Sequence, residues 1–84
     1  MRGKDLRKNV LNIVERRWPV HIKELVRELD LEVNNSNIKK ISYHIKQLEN
    51  AEKVRTKRIG KALIAWPHDM EKLRVIYELI MKSE

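Results

Sequence analysis

The chain has 84 residues, enough for one small domain and too few for a separate catalytic or ligand-binding unit beside it. Hydrophobic residues make up 42% and charged residues 37%, the balance of a charge-rich globule rather than a disordered tail. A net charge of +7 favours an anionic partner, nucleic acid ahead of a membrane surface, and the absence of cysteine excludes disulfides and thiolate metal sites.

From Lys4 to Arg17, the residues Leu6, Val10, Ile13 and Val14 recur at helical spacing and predict a first helix. Arg16 and Arg17 fall at its C-terminal end, where the helix dipole favours cations. Leu11 lies on the same helix but well off the apolar stripe. Trp18-Pro19 ends the helix, because a residue before proline is pushed towards extended geometry. Pro19-Val20 is a candidate for a very short strand. His21 stands at the N-cap of a second helix, with Glu24 placed to reach back to the cap's backbone N–H. Ile22, Leu25, Val26 and Leu29 supply its buried stripe. Asp30 to Asn35 then connects, longer than the roughly 3–4-residue turn of a tight helix-turn-helix, with Leu31 and Val33 as anchors to the core.

A third helix is expected over residues 36–50, capped by Asn34, Asn35 or Ser36. Ile38, Ile41, Ile45 and Leu48 share one side of it. The opposite side carries Ser36, Lys39, Lys40, Tyr43, Lys46, Gln47 and Asn50, with Ser42 and His44 at the flanks of the apolar stripe. That outward face holds amides, hydroxyls and ammonium groups without a carboxylate. Asn and Gln match adenine edges in a major groove, and Lys matches guanine or phosphate. An ordinary solvated helix face mixes both signs of charge; this one does not.

Asn50 is suited to a left-handed helix end, and the period then changes. Val54 to Ile59, a turn at Gly60-Lys61, and Ala62 to Trp66 predict a β-hairpin over residues 53–66 with a basic first strand and tip. Its Arg55, Lys57, Arg58 and Lys61 suit phosphate or minor-groove contact, and as a plain structural device would also protect an edge strand from aggregation. Pro67 suits the first position of a fourth helix over residues 67–82, whose core stripe is Met70, Leu73, Ile76, Tyr77 and Ile80. Val75 and Leu79 fall on its other side. The charge is concentrated in the middle of the chain: residues 1–33 carry +2, residues 34–61 carry +6 and residues 62–84 carry −1. That is the footprint of a polyanion-binding surface.

The whole chain, residues 1–84, thus reads as one mainly α domain with a small β-hairpin, ordered helix, helix, helix, hairpin, helix. That order is the order of a winged helix-turn-helix with an additional C-terminal helix. The run Ile41-Ser42-Tyr43-His44-Ile45-Lys46-Gln47-Leu48-Glu49 resembles the recognition helix of ArsR-like winged-helix regulators, whose pattern is roughly S-x-H-L-x-x-L. The resemblance covers residues 5–82 in architecture and residues 36–66 in motif. It implies a transcriptional regulator with the third helix in the major groove of double-stranded DNA, Ser42 and His44 near that DNA, and pairing of two chains through the terminal helices. A homodimer of that kind would bury Leu11, Val75 and Leu79. Two departures stand out: Ala51-Glu52-Lys53-Val54 replaces the family's usual Gly-Leu-Val, and the cysteines through which many members sense metals are absent.

Enzymatic chemistry finds no foothold in the pattern. Ser42 and His44 are two apart on a helix and do not face each other, the two glycines form no phosphate loop, and His21, His44 and His68 lack the spacing of a zinc site. No cofactor and no small-molecule effector is expected. The leading Met1-Arg2-Gly3-Lys4-Asp5 is no apolar signal sequence and no apolar run approaches the ~18 residues of a membrane span, so a cytoplasmic location is expected. Two other functions fit the same architecture. A winged-helix protein-interaction module would show an exposed apolar patch and bind no DNA. A non-specific DNA- or RNA-binding protein of chromatin or RNA processing would hold random and selected duplexes equally.

Overall fold

The computed structural model describes residues 3–70 together with Met81. Helix α1 spans Gly3–Arg17, strand β1 Val20–His21, helix α2 Ile22–Glu28, helix α3 Asn35–Asn50, strand β2 Val54–Ile59 and strand β3 Ala62–Pro67. Each helix lays an apolar stripe on a common core. Leu6, Val10, Ile13 and Val14 come from α1, Ile22, Leu25 and Val26 from α2, and Ile41, Ile45 and Leu48 from α3. Val20, Val54 and Ala65 close the core from the sheet. Full burial of each large aliphatic side chain contributes ~1.5–3 kcal/mol, which is what holds helices this short in place.

The residues between elements determine how the helices meet. After α2 the chain turns through Asp30 at φ 58°. The Asp30 N–H donates to the Arg27 carbonyl at 2.9 Å and the Leu31 N–H to the Val26 carbonyl at 3.1 Å, which closes the helix end in a Schellman motif. Leu31 and Val33 pack against the core as anchors of the connection. His21 occupies the N-cap of α2 without a side-chain capping bond. At the start of α3 the cap is Asn34, whose Oδ1 accepts from the Asn37 N–H at 2.8 Å. Helix α3 therefore begins at Asn35, one residue ahead of the expected start.

The far end of α3 corrects a second expectation. Asn50 is helical, and the left-handed residue is Glu52, at φ 58°. The Glu52 N–H donates to the Glu49 carbonyl at 3.0 Å and the Lys53 N–H to the Leu48 carbonyl at 2.9 Å, a second Schellman closure. Strand β2 starts directly after this reversal, so the helix end aims the hairpin.

The β-structure is larger than a hairpin alone. The sheet has three antiparallel strands in the order β1-β3-β2, with Val20 opposite Ala65 and His21 opposite Ile64. The β2–β3 register runs from Val54 opposite Pro67 to Ile59 opposite Ala62, and Gly60 makes the turn at φ 61°. Pro67, expected to open a helix, ends β3 instead; His68, Asp69 and Met70 are helical after it. The rest of the expected fourth helix lies outside the described residues, Met81 excepted. Among the described residues no helix is long and apolar enough to cross a membrane.

Candidate functional site

Helix α3 is amphipathic in space as in sequence. Ser36, Lys39, Lys40, Tyr43, Lys46 and Asn50 are exposed, and Ser42 and Gln47 are half-buried at the margins. Tyr43 stands out from this face, 56% exposed. Its aromatic body meets solvent where burial would be the cheaper arrangement.

The one carboxylate of α3 is turned away from this face and used. Glu49 Oε2 accepts from the Thr56 hydroxyl at 2.8 Å and from the Thr56 backbone N–H at 3.2 Å. Thr56 sits on β2, the edge strand of the sheet, so this carboxylate occupies an edge N–H that would otherwise be open to solvent or to another strand. The same two bonds tie the hairpin to α3. The only acid of α3 is thereby held on its β2 side, and the outer face carries its cations without a carboxylate, as the helical spacing sets them.

The hairpin divides its cations between two faces. Strand alternation puts Arg55 and Lys57 with Ile59 on one face, and Val54, Thr56 and Arg58 on the other. Val54 is fully buried and Thr56 reaches α3, so Arg58 projects from the face turned towards that helix. Lys61 sits in the turn. All four basic side chains are exposed. Among the described residues, no carboxylate pairs with Lys39, Lys40, Lys46, Lys57, Arg58 or Lys61. The ion pair of Arg17 with Glu28, at 3.3 Å, instead links the ends of α1 and α2.

His44 is a correction. Expected at the margin of the contact face, it is 6% exposed and belongs to the buried side of α3. Arg7 of α1 donates from Nε to His44 Nδ1 at 3.2 Å. An acceptor at Nδ1 is the neutral ring carrying its proton on Nε2. Burial, then the Arg7 guanidinium and the Lys40 ammonium, lower the His44 pKa from its ordinary value, which keeps the ring in that neutral form. The Arg7 guanidinium carbon also lies 5.9 Å from the centroid of the Tyr43 ring. Sequence reasoning had no signal for Arg7, which is 37 residues from His44 and on another helix.

No family model, curated protein or solved structure matches the chain. The site therefore rests on its own chemistry. Among the described residues no three His, Cys, Asp or Glu side chains gather where they could hold a metal ion. Of the residues expected to pair two chains, Leu11 is half-buried and packs against the core, a correction to its expected exposure, because the stripe of α1 is wider than the four residues that define it. Val75 and Leu79 lie outside the described residues.

Proposed function

We propose that this domain is a winged-helix protein that binds double-stranded DNA with sequence selectivity, as a small transcriptional regulator. The outer face of α3 enters the major groove and the β2–β3 hairpin, as the wing, lies along the flanking backbone. The observation that carries the reading is the sign of the α3 surface: its cations are exposed and its only carboxylate is committed to Thr56. Ser36, Lys39, Lys40, Ser42, Tyr43, Lys46, Gln47 and Asn50 offer the hydrogen-bonding groups for base edges and nearby phosphates. Arg55, Lys57, Arg58 and Lys61 supply phosphate contacts beside them. His44 supports the surface from beneath.

Selection of bound duplexes from a random pool, with the winner titrated at two salt concentrations, tests this. Neutralising ~6 phosphates gives a slope near −5 in log affinity against log salt, a loss of ~10³-fold between 50 and 200 mM. Arg58→Ala weakens selected and random duplexes alike, whereas Gln47→Ala lowers the ratio between them. A change of site preference in Arg58→Ala would overturn the division of roles. A palindromic winner supports the dimer, with half-sites ~34–36 Å apart along the DNA.

A second reading, a protein-interaction module, draws on the exposed Trp18 and Ile59, 47% and 58% accessible. Absence of duplex binding at low salt would select it, and uniform binding to all duplexes would select a non-specific nucleic-acid protein.

A further inference from the structure

Arg7, Tyr43 and His44 form a closed triangle of contacts between α1 and α3. Arg7 Nε donates to the His44 ring, the guanidinium lies over the Tyr43 ring, and the two rings meet edge to face with centroids 5.5 Å apart and planes at 70°. The three side chains differ in what they can do. His44 is buried and cannot reach a ligand; its acceptor nitrogen decides where the guanidinium sits. The guanidinium, half-buried, meets the tyrosine ring through a cation–π contact. Tyr43 alone of the three is largely exposed, with a hydroxyl that both donates and accepts.

An exposed tyrosine normally samples several rotamers and loses that freedom when it binds. Here two neighbours, one of them on a different helix, already restrict it. Resting on the DNA-binding reading above, we infer that Arg7 is a positioning residue of the interface, holding the Tyr43 ring ready for a base edge in the major groove, with His44 as its buried anchor. Arg7 acts through geometry and not only through its charge. Its fork carries an Nε–H that bonds His44 on the same rigid group whose central carbon stands 5.9 Å from the Tyr43 centroid, two contacts at a fixed separation that a lysine ammonium on its flexible stem does not hold.

The test uses the full chain, a selected duplex and a random duplex at fixed salt. Arg7→Lys keeps the charge, so binding to random duplex and its salt slope stay at the wild-type value. The ratio of selected to random affinity falls ~2–5-fold, the size of an exposed cation–π contact. Tyr43→Ala lowers the same ratio, and adding Arg7→Lys to it lowers the ratio no further, because Arg7 works through the ring. His44→Asn retains an acceptor where Nδ1 stood and keeps the wild-type ratio, whereas His44→Leu removes the acceptor and behaves as Arg7→Lys does. In the free protein, the Tyr43 ring proton resonances shift in Arg7→Lys, a variant that leaves the neighbouring His44 ring and its ring current in place. Wild-type discrimination by Arg7→Lys, or additive losses in the double variant, would overturn the positioning role while leaving DNA binding intact. If the wild-type protein binds no duplex, the functional reading itself fails, and the role of Arg7 in it falls too.

Discussion

Replacing Glu52 with glycine is expected to stabilise the domain. Glu52 holds a left-handed backbone at φ 58°, between the cap residue Ala51 and the first residues of the hairpin. The Schellman bonds from Glu52 and Lys53 back to Glu49 and Leu48 require that conformation. A residue with a Cβ costs ~1–2 kcal/mol there, and glycine does not. Glycine gives back part of the gain, ~0.5–1 kcal/mol, through the larger freedom it loses on folding. The Glu52 side chain is exposed and makes no hydrogen bond or ion pair among the described residues, so little contact is lost. The net is a gain of about 0.5–1 kcal/mol, or ~2–8 °C in Tm for a domain of this size. Thermal unfolding by circular dichroism reads it, with Glu52→Ala as the control. Alanine removes the same charge and keeps the Cβ, so the difference between the two variants isolates the backbone. A Tm for Glu52→Gly at or below that of Glu52→Ala would refute the reasoning.

Other expectations concern the parts that position the site. Glu49→Ala strips two hydrogen bonds from Thr56 and should cost ~1.5–3 kcal/mol in urea unfolding, the range for bonds to a charged acceptor; an unchanged urea midpoint would mean that the edge N–H is equally well served by water. Asn34→Ala removes the α3 cap and should cost ~1 kcal/mol, with Asn34→Ser close to neutral. His44 makes stability depend on pH. Its folded pKa is depressed by burial, Arg7 and Lys40, so the unfolded chain takes up the proton first as the pH falls. The contribution is therefore full above the ordinary value of 6.5 and is lost as the pH drops from there towards the depressed folded value. His44→Asn cannot take up that proton and should show a flatter stability profile through this window. Parallel profiles for the two proteins would argue against a neutral, buried His44.

The elements themselves were legible in the chain. Period-3.6 stripes locate three helices, the alternation around Gly60 locates the hairpin, and the clustering of charge marks residues 34–61 from the sequence alone. These are local properties, fixed by side-chain spacing and by the few residue types that terminate or cap a helix. Where local preference was close to balanced, sequence reasoning slipped by a residue or two. Asn50 suits a left-handed helix end better than glutamate does, yet Glu52 takes it, because burial of Leu48 and Val54 on either side decides where the chain reverses.

Contacts between distant segments were not legible at all. The spacing of Leu11 sets it off the apolar stripe of α1, and only the packing of that helix brings it to rest on the core. Nothing along α3 says that Glu49 bonds Thr56 and ties the hairpin to the helix. The same holds for Arg7, which meets His44 and Tyr43 only because α1 packs across α3. The amphipathic pattern decides which face of a helix is buried, since that depends on its own residues. Which side chain meets which across the interface depends on the crossing of two helices, and that is settled only when the whole core packs together.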